Sequence, residues 1–136
     1  MEDHKATIYI LSDQKLRGEI IQNQLKINLP KSFGISLLGS DNIATIPTDG
    51  YRPILIIDFI ALNKTPKHIL SILKNANADI KIIGMHLYRT MPLVTPLFDM
   101  GIDGYVYYEP SRDELIAAIH SVIENKNYMP PFLGTK

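Results

Sequence analysis

The run Pro53-Ile-Leu-Ile-Ile stops abruptly at Asp58, and four similar short runs recur along the chain, at 6–11, 35–38, 80–85 and 104–108. A strand with near-continuous apolar character has no face to offer water, so it reads as buried on both sides, the condition of a parallel sheet covered by helices. Between these runs the apolar spacing becomes helical. Residues 14–29 carry Leu16, Ile20, Ile21, Leu25 and Leu29 and end at Pro30. Residues 65–75 open with Thr65-Pro66, an N-cap followed by a proline suited to the first helical position, with Ile69, Leu70, Ile72 and Leu73 turned inward. Residues 90–100 form a further helical stretch closed by Gly101, in which Pro92 suits a first turn but Pro96 removes a donor. The last, 111–125, opens with Ser111 and Glu114 at capping-box spacing.

The order is βαββαβαβα with a poor helix in the second slot, where Pro47 and Gly50 leave room for barely one turn between Gly39 and Pro53. Such alternation predicts an α/β fold, a doubly wound, flavodoxin-like, five-stranded parallel sheet with a shortened second helix. Ligands of such sheets bind at the carboxyl ends of the strands. Asp13, Asp58, His86 and Tyr108 all fall at or just after expected strand ends, so their side chains are expected to converge.

At 136 residues the chain fits one domain, assigned to 1–131, with 132–136 as a tail or the start of a linker. Apolar residues at 46% suffice for a packed core, and fourteen basic residues against fourteen acidic ones leave no electrostatic footprint for nucleic acid or anionic lipid. The absence of cysteine excludes disulfides, thiolate metal sites and cysteine nucleophiles. The most apolar run, 54–62, is far shorter than the ~20 residues of a membrane helix and contains Asp58. The first five residues are polar and of mixed charge, unlike a signal peptide, so a cytoplasmic protein is expected. Ser12-Asp13-Gln14-Lys15 lacks the glycines of a phosphate-binding loop, which counts against a small flavodoxin-like ligand binder.

The stretch Met100-Gly-Ile-Asp-Gly-Tyr-Val-Tyr-Tyr-Glu-Pro-Ser-Arg-Asp-Glu-Leu-Ile-Ala-Ala-Ile, with the trailing Glu124-Asn-Lys-Asn-Tyr-Met-Pro-Pro, resembles the receiver domain of two-component response regulators, the LuxR-type subgroup in particular. The resemblance covers roughly residues 6–131. It implies phosphorelay signal transduction, with transcription as a downstream output. It also implies five chemical positions: an acidic pair that holds Mg²⁺, an aspartate that accepts the phosphoryl group, a Thr or Ser on a phosphoryl oxygen, and a Lys that neutralises it. Phosphoryl transfer depends on this positioning and charge compensation.

Set on this sequence, the acceptor is Asp58, and the acidic pair is reduced to Ser12 and Asp13. His86 stands at the Thr/Ser position, Tyr108 at the Lys position, and Tyr105 keeps the switch aromatic of the fifth strand. A neutral Tyr108 cannot replace an ammonium, and the His86 ring is bulky where an oxygen should dock. Asp13 and Asp58 could still hold Mg²⁺ weakly through waters. The expectation is a pseudo-receiver that acts by protein–protein contact. The alternative is a working receiver that phosphorylates itself on Asp58 with Mg²⁺.

Three uses of His86 stay open: a packed side chain bonded to Asp58 or Asp13, an imidazolium replacing the missing Lys, or a transition-metal site with both aspartates. Tyr105, Tyr107 and Tyr108 are either strand packing or a partner surface, with Tyr105 and Tyr107 on one face and Tyr108 on the other. His4, His68 and His120 have no neighbours at ligand spacing and read as surface residues. The implied partners are a histidine kinase or a downstream regulator. A homodimer would use the first and last helices, or the face formed by the penultimate helix and last strand. No membrane contact and no direct nucleic-acid contact are expected.

Overall fold

The computed structural model describes residues 6–46, 53–76 and 79–134. Five parallel strands stand in the order β2-β1-β3-β4-β5: β1 (Ala6–Leu11), β2 (Phe33–Leu38), β3 (Pro53–Asp58), β4 (Lys81–His86) and β5 (Gly104–Tyr107). Helices α1 (Lys15–Asn28), α2 (Pro66–Ala76), α3 (Met91–Asp99) and α4 (Arg112–Ile123) cover the two faces. Among the described residues the second slot holds a 3-10 turn, Ser40–Thr45. Pro47 and Gly50, expected to limit it, lie outside the described residues, as does His4.

Every residue of β3 is buried, the reason its apolar run is unbroken. Side chains alternate between two cores. Ile8, Ile10, Ile54, Ile56, Ile83, Met85 and Val106 pack beneath α1 and α4, while Leu11, Leu55, Ile57, Ile82 and Tyr105 pack beneath α2 and α3.

Several boundaries differ from the sequence reading. β2 begins at Phe33, two residues early, because Phe33 is itself buried in the α1 core. β5 ends at Tyr107, since Tyr108 adopts a positive φ of 47° and leaves the extended conformation. Helix α1 uses Ile21, Leu25 and, just beyond its end, Leu29 for burial, while Leu16 and Ile20 are left exposed. Helix α3 is nine residues long, with Pro92 in its first turn and Pro96 inside. At α4 the Ser111 hydroxyl accepts from the Glu114 N–H, whereas the Glu114 carboxylate turns to the Tyr128 hydroxyl.

Within 132–136, expected as a tail or the start of a linker, Phe132 and Leu133 pack against the domain. Pro131–Gly134 forms a 3-10 turn, Leu133 is buried in the α2–α3 core, and the Phe132 ring meets Tyr107 edge-on at 5.7 Å. Upstream, Tyr128 is tied to the edge of β5 by main-chain bonds to Asp103 and Tyr105.

Candidate functional site

Asp58 closes β3 with 0% of its surface exposed. It continues the alternation of Ile54 and Ile56, so its carboxylate faces the α1 side of the sheet. A buried carboxylate needs a partner, and α1 supplies one. Arg17 donates from Nε to Asp58 Oδ2 at 2.7 Å and from Nη2 to Oδ1 at 3.0 Å. This two-pronged geometry is the strongest that a guanidinium offers a carboxylate. Ser12 Oγ lies 3.1 Å from Oδ2 and accepts the Gln14 N–H. The Arg17 side chain is itself only 20% exposed. Its hydrogen bond to Asp58 raises its pKa further, against the opposing effect of burial.

Asp13 points elsewhere. One carboxylate oxygen accepts the Ser40 N–H at 2.7 Å and the other the Asn63 N–H at 2.9 Å. Asp13 thereby ties the β2 and β3 exit loops together. Partial burial works to raise its pKa, but these bonds and the charge of Lys64 outweigh it and hold the carboxyl below its ordinary value.

His86 sits on the opposite face from Asp58, because β4 sends Ile83 and Met85 towards α1 and the next residue back. Its ring stacks on Tyr88 with centroids 4.1 Å apart and approaches Phe59 at 6.0 Å. Nδ1 accepts the Leu87 N–H at 2.8 Å, which requires that nitrogen to be unprotonated. Burial lowers the His86 pKa, and the charge of Asp58 opposes this only in part.

The expected bond from His86 to Asp58 or Asp13 is therefore corrected, and so is the imidazolium in place of lysine. The transition-metal set of His86, Asp13 and Asp58 is also not assembled: among the described residues no three His, Asp or Glu side chains come together as a metal site. The Asp13 and Asp58 carboxylates are turned to different partners: both Asp58 oxygens face a guanidinium and both Asp13 oxygens accept main-chain N–H groups.

Tyr105 is fully buried, and its hydroxyl donates to the Tyr88 carbonyl at 2.7 Å. Burial pushes its pKa well up. Tyr107 shares that face, its ring and that of Phe132 both lying 4.9 Å from the Arg89 guanidinium. Tyr108 N–H still bonds the His86 carbonyl, but its ring is exposed and lies over Arg17 at 5.8 Å. His68 and His120 are exposed, as expected.

No protein-family signature and no curated protein sequence matches this chain. Solved structures do. The RcsB response regulator of Salmonella typhimurium superposes with a TM-score of 0.79 at 16% identity, over 98% of this chain and 65% of that one. The isolated REC domain of RcsB from Salmonella enterica, with the phosphomimetic BeF3-, gives 0.77 at 15% identity over 96% of both chains. A LuxR-family two-component response regulator from Aurantimonas sp. gives 0.77 at 15% identity, over 96% of this chain and 93% of that one. The chain has the receiver fold.

Within that receiver fold Arg17 is the residue that sequence reasoning missed. The signal was present: Arg17, Ile21 and Leu25 stand at helical spacing on one stripe of α1, and a charge on an inward stripe must find a counter-charge. It brings a fixed cation to the carboxyl end of the sheet from the first helix rather than from the last strand. No helix among the described residues is long and apolar enough to cross a membrane.

Proposed function

We propose that this chain is a receiver-like module of phosphorelay signalling that has become a pseudo-receiver, acting through protein–protein contact without phosphorylation. The observation that carries this reading is the fully buried Asp58 with both carboxylate oxygens held by Arg17. An acceptor aspartate must present a lone pair in line with phosphorus while cations neutralise the transferring group. Here the cation is built into the fold and already bonded to the nucleophile. The Thr/Ser and Lys positions, His86 and Tyr108, add no further charge compensation.

The partner would be a histidine kinase or a downstream regulator, or a second copy of the chain. The solved relatives include RcsB dimers bound to DNA, which fits an output in transcription through a DNA-binding region in the same protein or in trans. The Tyr107–Phe132–Arg89 cluster beside β5 offers aromatic and cationic anchors of the kind that concentrate binding energy. A cytoplasmic location goes with this role.

Intact mass after incubation with Mg²⁺ and a small-molecule phosphodonor tests the proposal. Wild type and Asp58→Asn should both stay unmodified while remaining folded. A single phosphoryl adduct on wild type that is lost in Asp58→Asn would establish a working receiver.

A further inference from the structure

Beside the Arg17–Asp58 pair lies a cleft that Arg17 itself helps to line. It opens between α1 and the connection from β5 to α4 and encloses about 350 Å³. That volume suits a small molecule. Its apolar walls are Ile20, Ile21, Met85 and Leu115. Ile21, Met85 and Leu115 are buried, but Ile20 is 58% exposed, so a ligand body laid against it would remove apolar surface from water. The rim is formed where the chain leaves β5 through the left-handed Tyr108 and passes Glu109 and Pro110 into α4.

The charge at this cleft decides the ligand class. Arg17 lines it, yet its charge is matched by Asp58. Glu109 also lines it, acts on Arg17 electrostatically, and forms no salt bridge among the described residues. One guanidinium against two carboxylates leaves one negative charge in excess. Tyr108 also lines the cleft with an exposed ring, already faced by the Arg17 guanidinium at 5.8 Å.

We infer that the cleft between α1 and the β5–α4 connection binds a small amphipathic amine, its ammonium at Glu109 and its apolar body on Ile20, Ile21 and Leu115. The charge count rests on the proposed reading of Asp58 as a carboxylate bonded to Arg17.

The chain contains no tryptophan, so the fluorescence of an indole probe can be followed against it directly. Titration of the full chain with tryptamine should give saturable binding about tenfold tighter than indole-3-propionate, which has a similar body and the opposite charge. Glu109→Gln should bring the two probes close to equal affinity, and Ile20→Ser should weaken tryptamine about threefold. Both positions are exposed, so circular dichroism of either variant should match wild type. The inference is overturned by an absence of saturable tryptamine binding, by an equal or tighter fit for the propionate, or by a charge preference that survives Glu109→Gln.

Discussion

Arg17 and Asp58, forty-one positions apart in sequence, meet through two hydrogen bonds of 2.7 and 3.0 Å at the carboxyl end of the sheet. The two partners differ in their access to water. Asp58 is sealed, whereas the Arg17 side chain is 20% exposed and lines an open cleft. Removing the cation should therefore cost more than neutralising the anion. Arg17→Ala should lower stability by about 3 kcal/mol, because it strands a buried charge. Asp58→Asn should cost about 1 kcal/mol. Urea denaturation of the two variants checks the order.

Magnesium should find no site. A metal bound with millimolar affinity would stabilise the fold by about 1.4 kcal/mol at roughly 10 mM free ion. Because the oxygens of Asp13 and Asp58 are already engaged, Mg²⁺ should leave the urea midpoint unchanged at constant ionic strength.

Acid should weaken the fold in two stages. His86 is kept neutral, as burial lowers its pKa from 6.5 against the pull of Asp58. The unfolded chain takes up a proton there that the folded chain refuses, so stability falls as pH drops from about 6.5 towards the lower folded pKa. Asp13 acts below that range. Its folded pKa lies beneath 3.8, so its contribution is complete above 3.8 and disappears as pH falls through the folded value. Urea midpoints measured from neutral to acid pH should show both stages in wild type. His86→Gln should remove the first and keep the second.

Tyr105 should behave as a strut. Its hydroxyl is bonded to the Tyr88 carbonyl, which joins β5 to the loop ahead of α3, and the ring is sealed in the α2–α3 core. Tyr105→Phe keeps the ring and loses the bond, so it should cost about 1 kcal/mol. Amide exchange should quicken in the segment that follows β4.

The layered plan was legible because parallel strands buried on both faces leave unbroken apolar runs, and 53–58 is the clearest of them. The start of α4 was legible from Ser111, whose hydroxyl caps the helix. The contacts of Asp58 were harder to read. Strand ends predict convergence, but side-chain parity decides it: Asp58 follows Ile56 towards α1, while His86 follows Gly84 and Ile82 to the other face. Applying the period-two rule across both strands would have separated them before any contact was known. Arg17 was passed over because apolar spacing in α1 drew attention to Leu16 and Ile20, which prove exposed. The packing of Phe132 and Leu133 left no local signal. It depends on Tyr107 and the α2–α3 core, which come together only in the fold.

The central claim is that Asp58 is committed to Arg17. A double-mutant cycle of Arg17→Ala, Asp58→Asn and the double variant, read by urea denaturation, measures that commitment directly. The account predicts a coupling of at least about 2 kcal/mol, as for a buried, doubly hydrogen-bonded charge pair. A coupling below about 0.5 kcal/mol, the scale of an exposed surface pair, would contradict it and return Asp58 to the role of an available acceptor.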